Sequence, residues 1–310
     1  MLEHIPTKSD LIEAHQRILP FIHKTPVYTS SWFDSLAGKN CYFKGEHLQK
    51  TGAFKARGAM NAVLVNDAEG KANGFLTHSS GNHGAALAWA AAQIGAKAYI
   101  VMPDNAPKTK IAAVEQYGGI ITFCAPTLDA REATADQVQK ETGAVFIHPY
   151  DNYDIIAGQA TATIELLEAQ PNLELLFVPV GGGGLLSGAA LANQYFGSAK
   201  VIGCEPENAN DAYQSFQAGT RIPVQNPDTI ADGLRTSLGT RNFEIIQQYV
   251  HEIITASEDE LKQAWKFTTS RLKQLVEPSA AAGLAVALKH GVGTSGIILC
   301  GGNMDLDPFV

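Results

Sequence analysis

Lys50-Thr51-Gly52-Ala53-Phe54-Lys55-Ala56-Arg57-Gly58 sets a lysine among small residues where the pattern passes from a predicted strand into a predicted helix. An amine that must be approached by a flat aldehyde needs small neighbours and a charge that it can lose. Gly52, Ala53, Ala56 and Gly58 meet the first demand. Read alone, the window also fits a surface lysine. Its weight comes from two glycine-bearing turns further along the chain.

Around this window the sequence alternates between strand and helix patterns. Gly74 to Ser79 precedes a helical stretch from Ala85 to Ile94, and Ala98 to Met102 precedes one from Lys108 to Gln116. Ile120 to Cys124 and the helix Asp129 to Thr142 continue the rhythm. In the second half come strand Leu175 to Val180, helix Leu185 to Tyr195, strand Lys200 to Glu205 and a helical run from Asp211. Ser257-Glu258-Asp259-Glu260 is a capping box opening a helix towards Leu275, and Gly296 to Cys300 is a last apolar strand. The rhythm predicts an α/β fold of largely parallel sheets flanked by helices. With 310 residues, two interwoven lobes are expected.

A net charge of -8 without a Lys/Arg run excludes a nucleic-acid surface and points to a small-molecule partner. Cys41, Cys124, Cys204 and Cys300 are scattered, which signals neither a zinc site nor a disulfide framework and fits a reducing cytoplasm. Neither a signal peptide nor a membrane span is read in the sequence.

Gly181-Gly182-Gly183-Gly184 directly follows the apolar run ending at Val180 and precedes a helix. Four residues without Cβ at that point expose N–H groups beside a positive helix end, a cradle for phosphate. The turn lacks the Lys-Ser/Thr pair of a P-loop, and Leu186 and Ser187 stand where G-x-G-x-x-G would need its last glycine. Phosphate without a nucleotide fingerprint, together with Lys55, points to pyridoxal 5'-phosphate. Ser79-Ser80-Gly81-Asn82-His83-Gly84 occupies the equivalent turn of the first half and can receive a carboxylate, although Ser80 or Asn82 could also simply cap the helix.

In order and spacing, KTGAFKARGA, SSGNHG, GGGG and Cys300-Gly301-Gly302-Asn303 resemble the fold-type II pyridoxal phosphate enzymes, within them the serine/threonine dehydratase and serine racemase group. The likeness spans His23 to Asp305. It implies a two-lobed fold like that of the tryptophan synthase β chain, with a large cofactor-binding lobe from residues 1–72 and 150–310. A small mobile lobe from residues 73–149 and a homodimer are implied as well. Lys55 would hold the cofactor covalently. Gly181, Gly182, Gly183, Gly184 and the Leu185 N–H would hold its phosphate, Asn82 the ring oxygen and Phe54 a ring face. Ser79, Gly81, Asn82 and His83 would receive the substrate carboxylate. Cys300 would stand at the pyridine nitrogen, where much of the group has serine. Neither side chain holds a proton there as an aspartate would, so the ring stays neutral and elimination is favoured over transamination.

The resemblance implies an L-threonine or L-serine dehydratase, a lyase giving a 2-keto acid and ammonia with Lys55 as the base. The alternatives are a serine racemase, in which Ser80 exchanges the Cα proton on the opposite face, and an L-threo-3-hydroxyaspartate ammonia-lyase. Tyr150 leans towards dehydration, whereas Arg131 could pair with a second substrate carboxylate or be a solvated helix arginine. Glu205 and Asp211 with the Ala209 carbonyl resemble the group's Mg2+ or Ca2+ site, although a loop acid before a helix is commonly a cap. The SSGNHG turn and the E-x-x-x-A-x-D segment argue against a cysteine or threonine synthase.

Overall fold

The computed structural model describes residues 1–79, 81–290 and 293–305, and among these ten strands form two sheets. Strands β1 (Val27–Thr29) and β2 (Cys41–Gly45) pair antiparallel. Strands β3 (Phe75–His78), β4 (Ala98–Pro103), β5 (Ile120–Cys124) and β6 (Val145–Phe146) form a parallel four-stranded sheet in the order β5-β4-β3-β6. Strands β7 (Leu175–Pro179), β8 (Lys200–Pro206), β9 (Glu252–Ala256) and β10 (Ser295–Leu299) join the first two in the order β1-β2-β10-β7-β8-β9. Apart from β1 with β2, that sheet is parallel too.

Two covered faces explain why β7 reads as an unbroken apolar run, and its five residues are all buried. Because β10 lies between β2 and β7, the segment after Leu299 emerges beside the segments after Gly45 and Pro179. The carboxyl ends of parallel strands are where an open α/β sheet receives its ligand. Lys55, the glycine turn and Cys300 all follow such ends.

The passage into the lysine helix differs from the expected single strand-to-helix step. Two 3-10 turns, Glu46–Leu48 and Lys50–Gly52, separate β2 from the helix Lys55–Val65, and Ala53 makes an isolated antiparallel bridge to Gly301. Gly58 also has a different duty from clearing space around the amine. A Cβ on Gly158 would lie 2.6 Å from the Gly58 Cα, so these glycines let the helices Lys55–Val65 and Tyr153–Ala169 meet backbone to backbone.

Behind that contact, Arg57 is fully buried. Its guanidinium forks onto Glu46 (2.7 and 2.8 Å) and onto Glu165 (2.8 Å to each oxygen), and Lys44 also binds Glu165 at 2.6 Å. Two cations and two anions thus tie the start of the lysine helix to β2 and to Tyr153–Ala169. Ala56, Ala59, Met60 and Val63 of the same helix enter the apolar cluster that includes Phe75 and Ile100, so this helix supports the four-stranded sheet as well.

The Ser257–Glu260 capping box is present, but its helix, Glu258–Phe267, stops short of Leu275. The hydroxyls of Thr268 and Ser270 donate back to the carbonyls of Trp265 and Lys266, which widens the chain into a π turn, Thr268–Leu272. Lys273, at φ 61°, ends it.

Candidate active site

Lys55 is the first residue of its helix, and the chain just before it is fastened to the C-terminal segment: the Phe54 N–H donates to the Cys300 carbonyl at 3.0 Å. The side chain is half-buried, and its Nζ donates to the Pro149 carbonyl at 2.8 Å. It lies 5.2 Å from the Phe54 ring centre and 5.9 Å from that of Tyr150. Burial drives its pKa down to about 8, against the opposing pull of Cys300 and Glu277. A lysine that loses its proton this readily can act as a nucleophile or base near neutral pH.

Tyr150 links the lysine to the glycine turn. An added Cβ on Gly182 would lie 2.4 Å from the Tyr150 ring, and one on Gly184 would lie 3.1 Å from the Tyr150 Cβ. Gly183 sits at φ 93°, a left-handed conformation that other residues rarely adopt. Asn242 Nδ2 donates to the carbonyls of Gly182 (2.9 Å) and Tyr150 (3.1 Å), and the Gly239 N–H donates to Gly182 as well. The carbonyl side of the turn is thereby tied back. The helix Gly184–Phe196 begins at once, and its first N–H groups, Leu185 among them, have no intrahelical acceptor. This is the chemistry of an anion cradle.

On the facing sheet, Ser79 follows β3 and its hydroxyl accepts from the Gly81 N–H at 3.3 Å. Ser80 lies outside the described residues. Asn82 opens the helix Asn82–Gln93. Its Nδ2 donates to both oxygens of Glu277, at 3.1 and 3.0 Å, and its Oδ1 accepts from Asn303 at 3.0 Å. His83 is buried, and burial holds its imidazole neutral. Burial likewise takes His78 and His148 to about 4, and His148 Nδ1 accepts the N–H groups of Tyr150 and Asp151, so that nitrogen is unprotonated. The Arg131 guanidinium is close enough to disfavour charge on His78 and to favour it on Tyr150.

Cys300 is buried, and burial pushes its thiol well above the ordinary range, with Glu277 adding to the effect. It is therefore a neutral group beside the lysine segment. The residues present fit a phosphorylated aldehyde: an easily deprotonated amine, a cradle that Cβ atoms would fill, and an uncharged partner for a ring nitrogen.

Apart from this cluster, Glu205 at the end of β8 accepts the N–H groups of Ala212 and Tyr213, while one oxygen of Asp211 accepts from Leu238 at 3.0 Å. The other Asp211 oxygen is buried without a partner. Burial raises both carboxyls, Asp211 to about 6. No set of three His, Cys, Asp or Glu side chains suited to a metal occurs among the described residues, so any cation here would rest on this pair and on backbone oxygen such as that of Ala209.

Sequence reasoning missed Pro149, Asn242 and Glu277. The first acts through its carbonyl and the second through a side chain distant in sequence, so neither left a local pattern. Glu277 left a faint one, an acid between Val276 and Pro278 where burial was to be expected.

An amine and an anion cradle meeting at the carboxyl ends of parallel strands define an enzyme site that carries a phosphorylated cofactor. The chain belongs to the pyridoxal-phosphate dependent enzyme family, whose pattern matches residues 18–301. It is 45% identical to a serine racemase of Dictyostelium discoideum, over 98% of this chain and 96% of that one. It is also 45% identical to the L-threo-3-hydroxyaspartate ammonia-lyase of Saccharomyces cerevisiae, covering 98% and 95%. The crystal structure of maize serine racemase superimposes with a TM-score of 0.95 at 41% identity, covering 98% of this chain and 96% of that chain. Its relatives are thus pyridoxal phosphate-dependent lyases and racemases that act on small amino acids. Among the described residues, no helix is long and apolar enough to cross a membrane.

Proposed function

We propose that the chain is a hydroxy-amino-acid ammonia-lyase that eliminates the β-hydroxyl of L-threonine or L-serine as water, after which hydrolysis of the released imine takes up one water and yields a 2-keto acid and ammonia. The observation that carries this reading is the placement of Lys55, whose Nζ donates to the Pro149 carbonyl beside the glycine turn's partner Tyr150, with burial pushing its pKa down to about 8. Pyridoxal phosphate supplies an electron sink for the charge that develops at the substrate Cα. Gly181 to Gly184 and the Leu185 N–H would hold its phosphate, Lys55 its aldehyde carbon, Asn82 its ring oxygen and Phe54 a ring face. Cys300, a neutral thiol, would stand at the ring nitrogen without supplying it a proton, which would favour prompt loss of a β-substituent.

Ser79, Gly81, Asn82 and His83 would orient the substrate carboxylate at a helix N-terminus, which places the Cα proton for Lys55 to remove as base. Residues 73–149 act as a lobe that closes over the substrate, and the contacts Asn82 to Glu277 and Lys110 to Asp232 span its border. Glu205, Asp211 and the Ala209 carbonyl would take up Mg2+ or Ca2+ as a structural or activating ion, in keeping with the unpartnered Asp211 oxygen.

A second reading, 3-hydroxyaspartate as substrate, is favoured by Arg131, whose guanidinium stands near His78 and Tyr150 and could pair with a second carboxylate. The test is a proton NMR time course of the holoenzyme with L-serine, L-threonine and L-threo-3-hydroxyaspartate in turn, with chiral analysis of the remaining serine. Keto acid from serine or threonine supports the first reading. Turnover confined to 3-hydroxyaspartate, and lost in Arg131→Ala, replaces it with the second. D-serine formed as fast as pyruvate overturns the lyase assignment in favour of racemisation, with Ser80 as the second acid-base group.

A further inference from the structure

Glu277 is an expensive residue to keep where it is. Its side chain is only 4% exposed, and its two oxygens converge on a neutral amide, Asn82 Nδ2, at 3.1 and 3.0 Å. A buried carboxylate without an ion partner in contact costs several kcal/mol, so packing alone gives no reason for an acid here. The surroundings are nonetheless built for it. An added Cβ on Gly301 would lie 2.7 to 2.9 Å from the carboxylate atoms, so that glycine clears its space, and the Glu277 N–H donates to the Gly301 carbonyl at 3.0 Å.

We propose that Glu277 is a positioning residue that reaches across the border of the two sheets and fixes the Asn82 carboxamide, leaving one amide hydrogen for the cofactor's ring oxygen. The hydrogen-bond partners assign the amide unambiguously. Oδ1 takes the Asn303 donor at 3.0 Å, and Asn303 is itself held by the Thr51 carbonyl at 2.7 Å. Because Asn303 Nδ2 fixes Oδ1 as the acceptor, Nδ2 faces the Glu277 carboxyl. Of the two hydrogens on Nδ2, Glu277 engages one and the other remains available. The ionisable groups that act on or feel this carboxyl are Lys55, Lys110, Asp232 and Cys300. Burial raises its pKa to about 7, opposed by the Asn82 bond, by Lys110 and by a bond from the Asn303 N–H.

The inference rests on the reading of Asn82 at the ring oxygen, and the experiment separates the two. Holoenzymes carrying Asn82→Ala, Glu277→Ala, Glu277→Gln and each double substitution are compared with the parent. The readouts are the dissociation constant for pyridoxal phosphate, the ratio of the bound cofactor's two absorption bands across pH, and the melting temperature. Asn82→Ala and Glu277→Ala should each weaken cofactor binding by about tenfold and move the band ratio the same way, with Glu277→Gln in between. In the Asn82→Ala background, either Glu277 substitution should then move the cofactor readouts no further. Full additivity overturns the proposal, as does a Glu277 effect confined to the melting temperature while Asn82→Ala alone shifts the spectrum. If Asn82→Ala leaves the cofactor readouts unchanged, the reading of Asn82 fails and the proposal falls with it. Should Glu277→Ala not fold, Glu277→Gln alone completes the cycle.

Discussion

Gly182→Ala is the most informative single methyl group to add to this protein. Its Cβ would lie 2.4 Å from the Tyr150 Cγ and 2.5 Å from both Cδ atoms, against a comfortable carbon-carbon separation of about 3.5 Å or more. Relief demands a movement of about 1 Å by the ring or by the turn. The ring has little room to yield: the His148 ring packs edge-on at 4.7 Å, the Tyr150 carbonyl is held by Asn242, and the Lys55 amine lies on its cleft side. Overpacking of this kind costs about 1 to 3 kcal/mol, which is a loss of about 5- to 150-fold in affinity for pyridoxal phosphate if the turn is the part that moves. Gly95→Ala is the control for an added methyl group that meets no neighbour: nothing lies within 4 Å of its Cβ, even though its φ is positive, at 71°, which that of Gly182 is not. Equilibrium dialysis with pyridoxal phosphate should show weakened binding in Gly182→Ala and parental binding in Gly95→Ala. Equal affinity in Gly182→Ala and the parent would refute the placement of phosphate at this turn.

Two further outcomes follow from the charges in and near the site. Uptake of pyridoxal phosphate by the cofactor-free protein needs neutral Lys55, so its rate, followed by absorbance in a stopped-flow instrument, should climb with pH below about 8 and level off above it. An ordinary lysine, at about 10.4, would give a rate still climbing at pH 9. Removal of divalent ions with a chelator should lower the melting temperature of the holoenzyme and Mg2+ or Ca2+ should restore it, whereas Asp211→Asn should be insensitive to either treatment. A chelator without effect on the parent would remove the cation from the account.

Much of the fold was legible because parallel strands buried on both faces leave apolar runs, as in Leu175 to Pro179, and because glycines mark the ends of elements. The turn at Gly181 to Gly184 could be read for a further reason. Each glycine there answers a local constraint: a positive φ at Gly183, and neighbours within 3.1 Å of the missing Cβ at all four positions. Residues whose role depends on distant partners were not legible. Arg57, Lys44, Glu46 and Glu165 form one buried ion cluster, yet their separation in the chain makes each look like a surface charge. Gly58 was assigned the wrong neighbour, since only the packed helices show that it faces Gly158. The helix from Glu258 was drawn too long because hydroxyl groups bonding back to carbonyls compete with the helix without disturbing its hydrophobic period.

The central claim is that Lys55 carries the cofactor, and it can be tested without any substrate. The holoenzyme is reduced with borohydride, digested, and the peptides are sequenced by mass spectrometry. The account predicts a single pyridoxyl-modified peptide, modified at Lys55 and absent from Lys55→Ala. A modified peptide centred on any other lysine, or the same modification persisting in Lys55→Ala, would contradict it.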